Sequence, residues 1–291
     1  MKVVCFTNNG GMGNPILAAF AKGCGGTLAP VEKYGSIQAM NVGNLSAVFW
    51  GILRGNTSAI YRSQKLGVPH IVIDHAYIRR GHSTQNYRTT LGSYPPSILM
   101  DYPDDRAKKF DGHALIKPLR PLTYGAKVLV LPPTRAIVDH YMYAGMSSEI
   151  SLWNHNVKSW AAYGFKPIHR DKASMRPFAQ DLAEARAVVS LHSNGAVEGL
   201  LDGVTPYTGL RNAAYQCVPF SMVADQSIVD TGACCIRDEH LAVAEEYMSD
   251  RRRRMFVNNL CYRQFHISEF EDGTAWRILS SDPPRAIPDY T

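Results

Sequence analysis

Two stretches of this chain gather side chains able to do acid–base and anion chemistry. The first is Asp74-His75-Ala76-Tyr77, followed by Arg79, Arg80, Gly81 and His82, and then by Tyr87 and Arg88. A carboxylate or an imidazole can take the proton of a hydroxyl as that hydroxyl attacks. Asp74 is the first choice for this base and His75 the second. Tyr77 can stack on a flat group, and Arg80 or Arg88 can hold an anion. The plainer alternative makes Asp74 a cap and pairs the arginines with Asp101, Asp104 or Asp105. The second stretch is His192-Ser193-Asn194-Gly195, with Glu198 three residues beyond the glycine. If it joins a strand to a helix, backbone N–H groups and the positive helix end meet there, which favours anions. Its plainer alternative is a generic turn in which Glu198 closes a capping box with Gly195 at the cap.

The elements that must carry these residues can be read from the pattern. Ala187–Leu191 is apolar and β-branched at Val188 and Val189, as a buried strand is. Ala196–Leu201 reads as a short helix stopped by Asp202-Gly203. Val204–Tyr207 reads as the next strand, so the whole is the repeat of a parallel α/β sheet. Val68–Asp74 is the clearest strand of the first half, with Pro69 at its start because proline cannot donate to a ladder. Its carboxyl end, where open α/β sheets bind ligands, delivers Asp74. Lys2–Phe6 is expected as a first strand feeding the loop Thr7–Asn14, with a helix from Pro15 to about Lys22. That loop is glycine-rich but lacks the GxGxxG spacing, so it makes no dinucleotide fingerprint.

Further strands are expected at Ala47–Leu53, Lys127–Leu131, Phe165–Ile168 and Ser221–Ala224. Further helices are expected at Ser58–Leu66, Arg135–Ala144, Ile150–Tyr163, Met175–Leu182, Glu239–Met248, Arg251–Tyr262 and Ser268–Leu279. Residues 91–123 carry scattered prolines and charges and read as a long irregular connection. The domain boundary is placed near Pro118–Tyr124, giving domains of 1–120 and 121–291.

The segment Ser193-Asn194-Gly195, Glu198-Gly199-Leu200, Gly203-Val204-Thr205-Pro206 resembles the nucleotide-sugar site of GT-B glycosyltransferases, the capsule-type transferases and sugar-nucleotide epimerases among them. The resemblance covers about a tenth of the chain. It implies an α/β fold of two Rossmann-like domains facing a cleft, with the last helix packing back on the first domain. It implies that His192, Ser193, Asn194 and Gly195 approach the donor diphosphate and that Glu198 accepts ribose hydroxyls. Arg170 and Lys172, in His169-Arg170-Asp171-Lys172, stand where such transferases place a cation against the diphosphate. That charge would stabilise the leaving group as the glycosidic bond breaks. The alternative for both is a surface pair with Asp171 or Asp181. The loop bearing Asn9 and Gly11 would approach donor or acceptor, or its glycines would serve packing alone. The stretch IDHAYIRRG with Tyr87-Arg88 also looks like segments of bacteriophage-encoded GT-B proteins, some of which glycosylate hydroxymethylated pyrimidines. That resemblance adds only its general sense; the acceptor-side assignment of Tyr77, Arg80, Tyr87 and Arg88 comes from the residue types themselves.

Composition bounds the rest. The 291 residues are 45% hydrophobic and 19% charged, as in an ordinary globular protein. The net charge of +6 permits attraction to phosphates, nucleic acid or anionic lipid without choosing among them. Arg251–Arg254 is the one dense basic cluster, read as a solvated helix face or as a phosphate contact. No run is long enough to span a membrane, and the first residues enter a strand rather than a signal peptide. The six cysteines form no CxxC pair, so unpaired thiols and a cytoplasmic location (a host's, if phage-encoded) are expected.

Asp104-Asp105 lies in the irregular connection, so no metal and no cofactor are expected, the nucleotide sugar being a substrate. The leading expectation is a metal-independent, inverting transfer of sugar to a hydroxyl acceptor. The preferred acceptor is DNA bearing hydroxymethylated bases, with polysaccharide or a lipid-linked sugar as the alternative. A sugar-nucleotide epimerase or hydrolase comes second, and a non-enzymatic nucleic-acid-binding protein third.

Overall fold

The computed structural model describes residues 2–8, 11–41, 43–53, 55–80, 83–95, 99–120, 127–162, 166–170, 174–209, 211–217 and 248–281. The chain divides into two units, Met1–Pro95 with Leu260–Thr291, and Pro96–Asn259. The division expected from the prolines, 1–120 against 121–291, has a single break; here that break falls after Pro95, and the chain from Leu260 onward is grouped with the first unit.

The first unit holds strands β1 (Lys2–Thr7), β2 (Thr27–Pro30), β3 (Leu45–Trp50), β4 (His70–His75) and β5 (Asn86–Leu91). The last strand of the chain, β10 (Gln264–His266), completes its sheet in the order β10-β5-β4-β3-β1-β2. Strands β2, β1, β3 and β4 run parallel, and β5 lies antiparallel between β4 and β10. Successive residues of β1 feed opposite faces, as a pleat requires. Val3 and Cys5 join a core with Leu17, Phe20, Trp50, Phe265 and Phe270. Val4 and Phe6 join another with Phe49, Ile60 and Val72. Burial on both faces is why these strands read as continuous apolar runs instead of alternating ones.

The first core is covered by α1 (Asn14–Cys24) and the second by α3 (Thr57–Lys65), with α2 (Tyr34–Met40) adding Tyr34. The chain's last described segment forms two helices where one was expected. Gly273, at φ +79°, separates Ile267–Glu271 from Thr274–Ser281. A Cβ on Gly23 of α1 would stand 1.8 Å from the Phe270 carbonyl oxygen, so the glycine lets these backbones meet.

The second unit is built on a four-stranded parallel sheet in the order β7-β6-β8-β9: β6 (Lys127–Leu131), β7 (Lys166–His169), β8 (Ala185–Ser190) and β9 (Thr205–Thr208). Its described helices are α4 (Asp105–Lys109), α5 (Arg135–Tyr143), α6 (Ser147–Ala162), α7 (Phe178–Ala183), α8 (Gly195–Leu201) and α9 (Asp250–Tyr262), the last carrying the second break of the chain. The strand–turn–helix–strand reading of 187–208 corresponds to β8, α8 and β9.

The described part of 91–123 is more ordered than the prolines suggest. It includes α4, a 3₁₀ turn at Gly112–Leu115, and a strap that docks on the end of α8. In that strap Lys117 N–H donates to Leu201 O at 2.8 Å and Arg120 N–H to Gly203 O at 3.0 Å. The Lys117 and Arg120 side chains both pair with Asp202. Gly203 has φ +79°, and a Cβ there would fall 2.1 Å from the Pro118 oxygen. These bonds place 116–120 with the second unit. The strand expected at Ser221–Ala224, all but the last residue of the helix expected at Glu239–Met248, and the tail from Pro283 lie outside the described residues. Strands β2, β5 and β10 and helix α2 were not anticipated. Among the described residues no helix is long and apolar enough to cross a membrane.

Candidate functional site

In the first unit, β4 ends by presenting Asp74 and His75 on successive positions, hence on opposite faces of the sheet. The register with β5 sets their companions. Asp74 stands opposite Arg88, and His75 opposite Tyr87. The expected single cluster is therefore two clusters.

On one face Arg88 Nη2 meets Asp74 Oδ2 at 3.1 Å, and the guanidinium lies 4.2 Å from the centre of the Tyr77 ring. Asp74 Oδ1 accepts the His75 backbone N–H at 2.7 Å. Burial pushes the Asp74 carboxyl up, but the Arg88 charge and these bonds outweigh it and hold the group below the usual carboxylate range. A carboxylate so held is a weak proton acceptor. Tyr77, expected to offer its face to a ligand, has that face against Arg88. Its hydroxyl is pushed up by burial.

On the other face His75 is half-buried, edge-on to Trp50 at 5.3 Å between ring centres. Trp50 in turn meets Tyr87 at 5.6 Å. Gly13 abuts the same indole: a Cβ on Gly13 would stand 2.0 Å from Trp50 Cγ. The loop before it is folded around Asn14. Asn14 Nδ2 donates to Asn8 O at 2.9 Å, and Gly11 N–H donates to the same oxygen at 3.1 Å. Asn56, fully buried, holds the end of β3 through Trp50 O at 2.7 Å and Gly51 O at 3.0 Å. Gly11 and His75 thus belong to one neighbourhood, joined through Gly13 and Trp50. Arg80 is exposed, and Asn9 lies outside the described residues.

In the second unit the turn after β8 carries His192, Ser193 and Asn194 into α8. Its backbone donors are partly committed. Ser193 N–H donates to Ser190 Oγ at 2.8 Å, and Gly195 N–H donates to Ser193 Oγ at 3.2 Å. An anion at Gly195 N–H would replace the Ser193 hydroxyl. Gly195 itself faces the core: a Cβ there would meet Leu131 Cδ1 at 2.5 Å. This glycine lets α8 lie close on the sheet. Ser193 and Glu198 are exposed, while His192 is half-buried.

Arg170, expected at a diphosphate, pairs with the buried Asp181, donates to Ser174 Oγ at 3.2 Å and lies 5.4 Å from the Phe178 ring centre. Arg176 reaches the same Asp181 at 3.0 Å. The partner is the Asp181 named in the alternative for Arg170, but the pair is largely buried and not on the surface. Lys172 lies outside the described residues. The basic cluster is likewise half committed. Arg252 donates to Cys217 O at 2.6 Å, and buried Arg253 donates to Lys117 O at 2.6 Å, while Arg251 and Arg254 are exposed.

Sequence reasoning missed Glu149, Arg211, His140 and Tyr141, which lie around the β8 turn. Glu149, in the first turn of α6, is buried and accepts from Arg211 Nε at 3.1 Å. Asn212, beside Arg211, donates from Nδ2 to the Ser193 oxygen at 3.0 Å. Tyr141 of α5 is buried, 6.2 Å from the His192 ring centre. His140 is buried too; desolvation, with the Arg211 charge behind it, depresses its basicity to about 4, so the ring is neutral near pH 7. Burial pushes the Glu149 carboxyl up, opposed by Arg211. The available signal was two titratable residues, His140 on the helix expected at Arg135–Ala144 and Glu149 just before the helix expected at Ile150–Tyr163, which in fact begins at Ser147. Among the described residues no three His, Cys, Asp or Glu side chains gather as metal ligands would.

No family model matches the chain, and no curated protein matches it in sequence. Among solved structures it is similar to Thermosulfurimonas dismutans KpsC, beta Kdo 2,4 transferase, with a TM-score of 0.49, 12% identity and 91% of each chain covered. It is also similar to Thermosulfurimonas dismutans KpsC, beta Kdo 2,7 transferase, with a TM-score of 0.46 and 12% identity, covering 76% of this chain and 83% of that one.

Proposed function

We propose that this protein is a glycosyltransferase that moves a sugar from a nucleotide-sugar donor to a hydroxyl acceptor. One observation carries the reading. The β8 turn, with Ser193–Gly195 and Glu198, stands at the carboxyl edge of an all-parallel sheet with His140, Glu149, His192 and Arg211 gathered around it. Carboxyl edges of this kind are where open α/β sheets take nucleotides. In this reading the second unit binds the donor, with Ser193, Asn194 and Gly195 toward the phosphates and Glu198 toward the ribose. Lys172 is the remaining cation for the leaving group, since Arg170 is engaged with Asp181.

The first unit binds the acceptor, with Gly11, Tyr87 and Arg80 near it. His75, not Asp74, takes the acceptor proton, because Asp74 is neutralised by Arg88 on the other face. The acceptor oxygen bonds to the anomeric carbon in a single displacement, its proton passes to the imidazole, and the nucleotide phosphate departs with the electron pair.

The test is incubation of the purified protein with a panel of nucleotide sugars. Each is offered with DNA containing 5-hydroxymethylated pyrimidines, with oligosaccharide and with no acceptor, and the products are read by mass spectrometry. Transfer by the parent, lost about 10²-fold or more in His75→Ala and less in Asp74→Asn, is the expected result. Turnover of donor without any acceptor would replace transfer with epimerisation or hydrolysis. Absence of nucleotide-sugar binding, with Glu198→Ala indistinguishable from the parent, would end the proposal.

A further inference from the structure

The cluster around Glu149 goes beyond what the strand–turn–helix motif assigns. Glu149 and Trp153 stand four residues apart on α6, on one face of that helix, and both are buried. One Glu149 oxygen takes the Arg211 Nε–H; the other, Oε2, makes no hydrogen bond among the described residues. Trp153 Nε1 is likewise buried without a hydrogen bond among the described residues. Buried polar atoms in this state are uncommon in folded proteins and ask for a partner. The group is continuous with the β8 turn, since Asn212, next to Arg211, holds the Ser193 carbonyl.

The charges decide what the partner is. Glu149 and Arg211 balance one another. A phosphate placed here would face the Glu149 carboxylate, and a cation would face Arg211. The remaining needs are an acceptor to be given a proton, Glu149 Oε2, and a donor to be accepted, Trp153 Nε1–H. A neutral polyhydroxyl ring answers both, because every hydroxyl donates and accepts.

We propose that Glu149 and Arg211 form the seat for a neutral, hydroxyl-rich sugar of the bound nucleotide sugar, with Glu149 Oε2 accepting from a sugar hydroxyl. This rests on the reading of the second unit as donor-binding and adds the substrate class: a neutral sugar in this seat, not an acidic one. Glu198, exposed on α8, is left to the nucleotide.

The experiment measures equilibrium binding to the full-length chain of UDP-glucose, GDP-mannose and UDP-glucuronate, each beside its matched nucleoside diphosphate, for the parent and for Glu149→Gln. For at least one nucleotide, the neutral-sugar conjugate is expected to bind tighter than the diphosphate alone. Glu149→Gln should weaken that conjugate about tenfold or more while leaving the diphosphate within about twofold. Because both ligands are compared on the same variant, a fold damaged by the substitution would lower both together and could not imitate this result.

Equal loss for both ligands, no loss for either, or tighter binding of UDP-glucuronate than UDP-glucose by the parent would overturn the seat while leaving the donor reading standing. Failure of every nucleotide and nucleotide sugar to bind the parent would overturn both.

Discussion

Asp74 and His75 adjoin in sequence yet serve opposite faces of the first sheet, and the Asp74–Arg88 pair makes a prediction of its own. Arg88 is the reason the Asp74 carboxyl lies below its ordinary range despite burial. A depressed carboxylate contributes stability above its unfolded value, near 4, and loses it as pH falls through the lower folded value. Arg88→Met removes the main countercharge from the partly buried Asp74, so its burial then opposes ionisation. The substitution should cost about 2–3 kcal/mol at pH 7 and much less at pH 3, read as the difference in denaturant midpoints at the two values. An equal loss at both would mean that packing on Tyr77, not charge, is what Arg88 supplies.

His140 carries the reverse chemistry with the same direction in pH. Its folded value of about 4 lies below the ordinary 6.5, so the unfolded chain binds the extra proton first. Stability from this residue is complete above about pH 6.5 and is lost as pH falls to about 4, by an amount on the order of 3 kcal/mol at most. Thermal melts from pH 7 to pH 4.5 should show a decline in the parent that is visibly flatter in His140→Gln. Parallel curves would remove His140 as the source.

At the scale of elements, glycine placement sets how close the helices stand to the sheets. Gly13 precedes α1 at φ −82°, a conformation open to any residue, so its requirement is space. Alanine there would drive a methyl into the Trp50 ring. Overpacking of this kind typically costs about 1–3 kcal/mol, and here it should also displace the His75 ring that leans on Trp50. Denaturation of Gly13→Ala, Trp50→Leu and the double variant tests this. The smaller side chain should recover most of the alanine's cost, and strict additivity would refute the contact.

The same elements show what the sequence makes legible. Strands buried on both faces and ended by turn residues, such as Lys127–Leu131, stand out by content, as does the unit from β8 to β9. Strand β5, NYRTTL, does not, because its polar side chains are satisfied by partners far off in the chain: Arg88 by Asp74, and Thr89 by Arg263. Strand β10 is three residues long and exists only because β5 is beside it. The Glu149–Arg211 pair was hidden for a related reason, since its members are 62 residues apart and only the fold brings them together. Residue types announced Asp74 and His75, and strand alternation sends them to opposite faces, but only the cross-strand register gives Arg88 to the one and Tyr87 to the other.

On the scale of the whole molecule, the first unit is closed by the far end of the chain. Gln264 bonds both ways with Ile78, at 2.8 and 3.1 Å, Thr89 N–H donates to Arg263 O at 2.7 Å, and Phe265 and Phe270 are buried in the first sheet's core. Each phenylalanine alone is worth about 3–5 kcal/mol against alanine, while a whole domain holds only about 5–15 kcal/mol in reserve. Ending the chain at Asn259 therefore removes more than the first unit can lose. The truncated protein should show no slowly exchanging amides in Val3–Phe6 or Ala47–Phe49, whereas the full chain protects both strands. Phe270→Ala in the full chain should keep that protection with a stability lower by about 3–4 kcal/mol. Were the truncated chain to protect β1 and β3 as well as the parent does, residues 1–95 would be a self-sufficient fold, and the closing segment an ornament on it. The sequence separation of these contacts, 186 residues between Gln264 and Ile78, points the other way. Such pairings form late because the loop must close before any contact rewards it. During synthesis the first unit would wait for residues 264–266 before its sheet is complete.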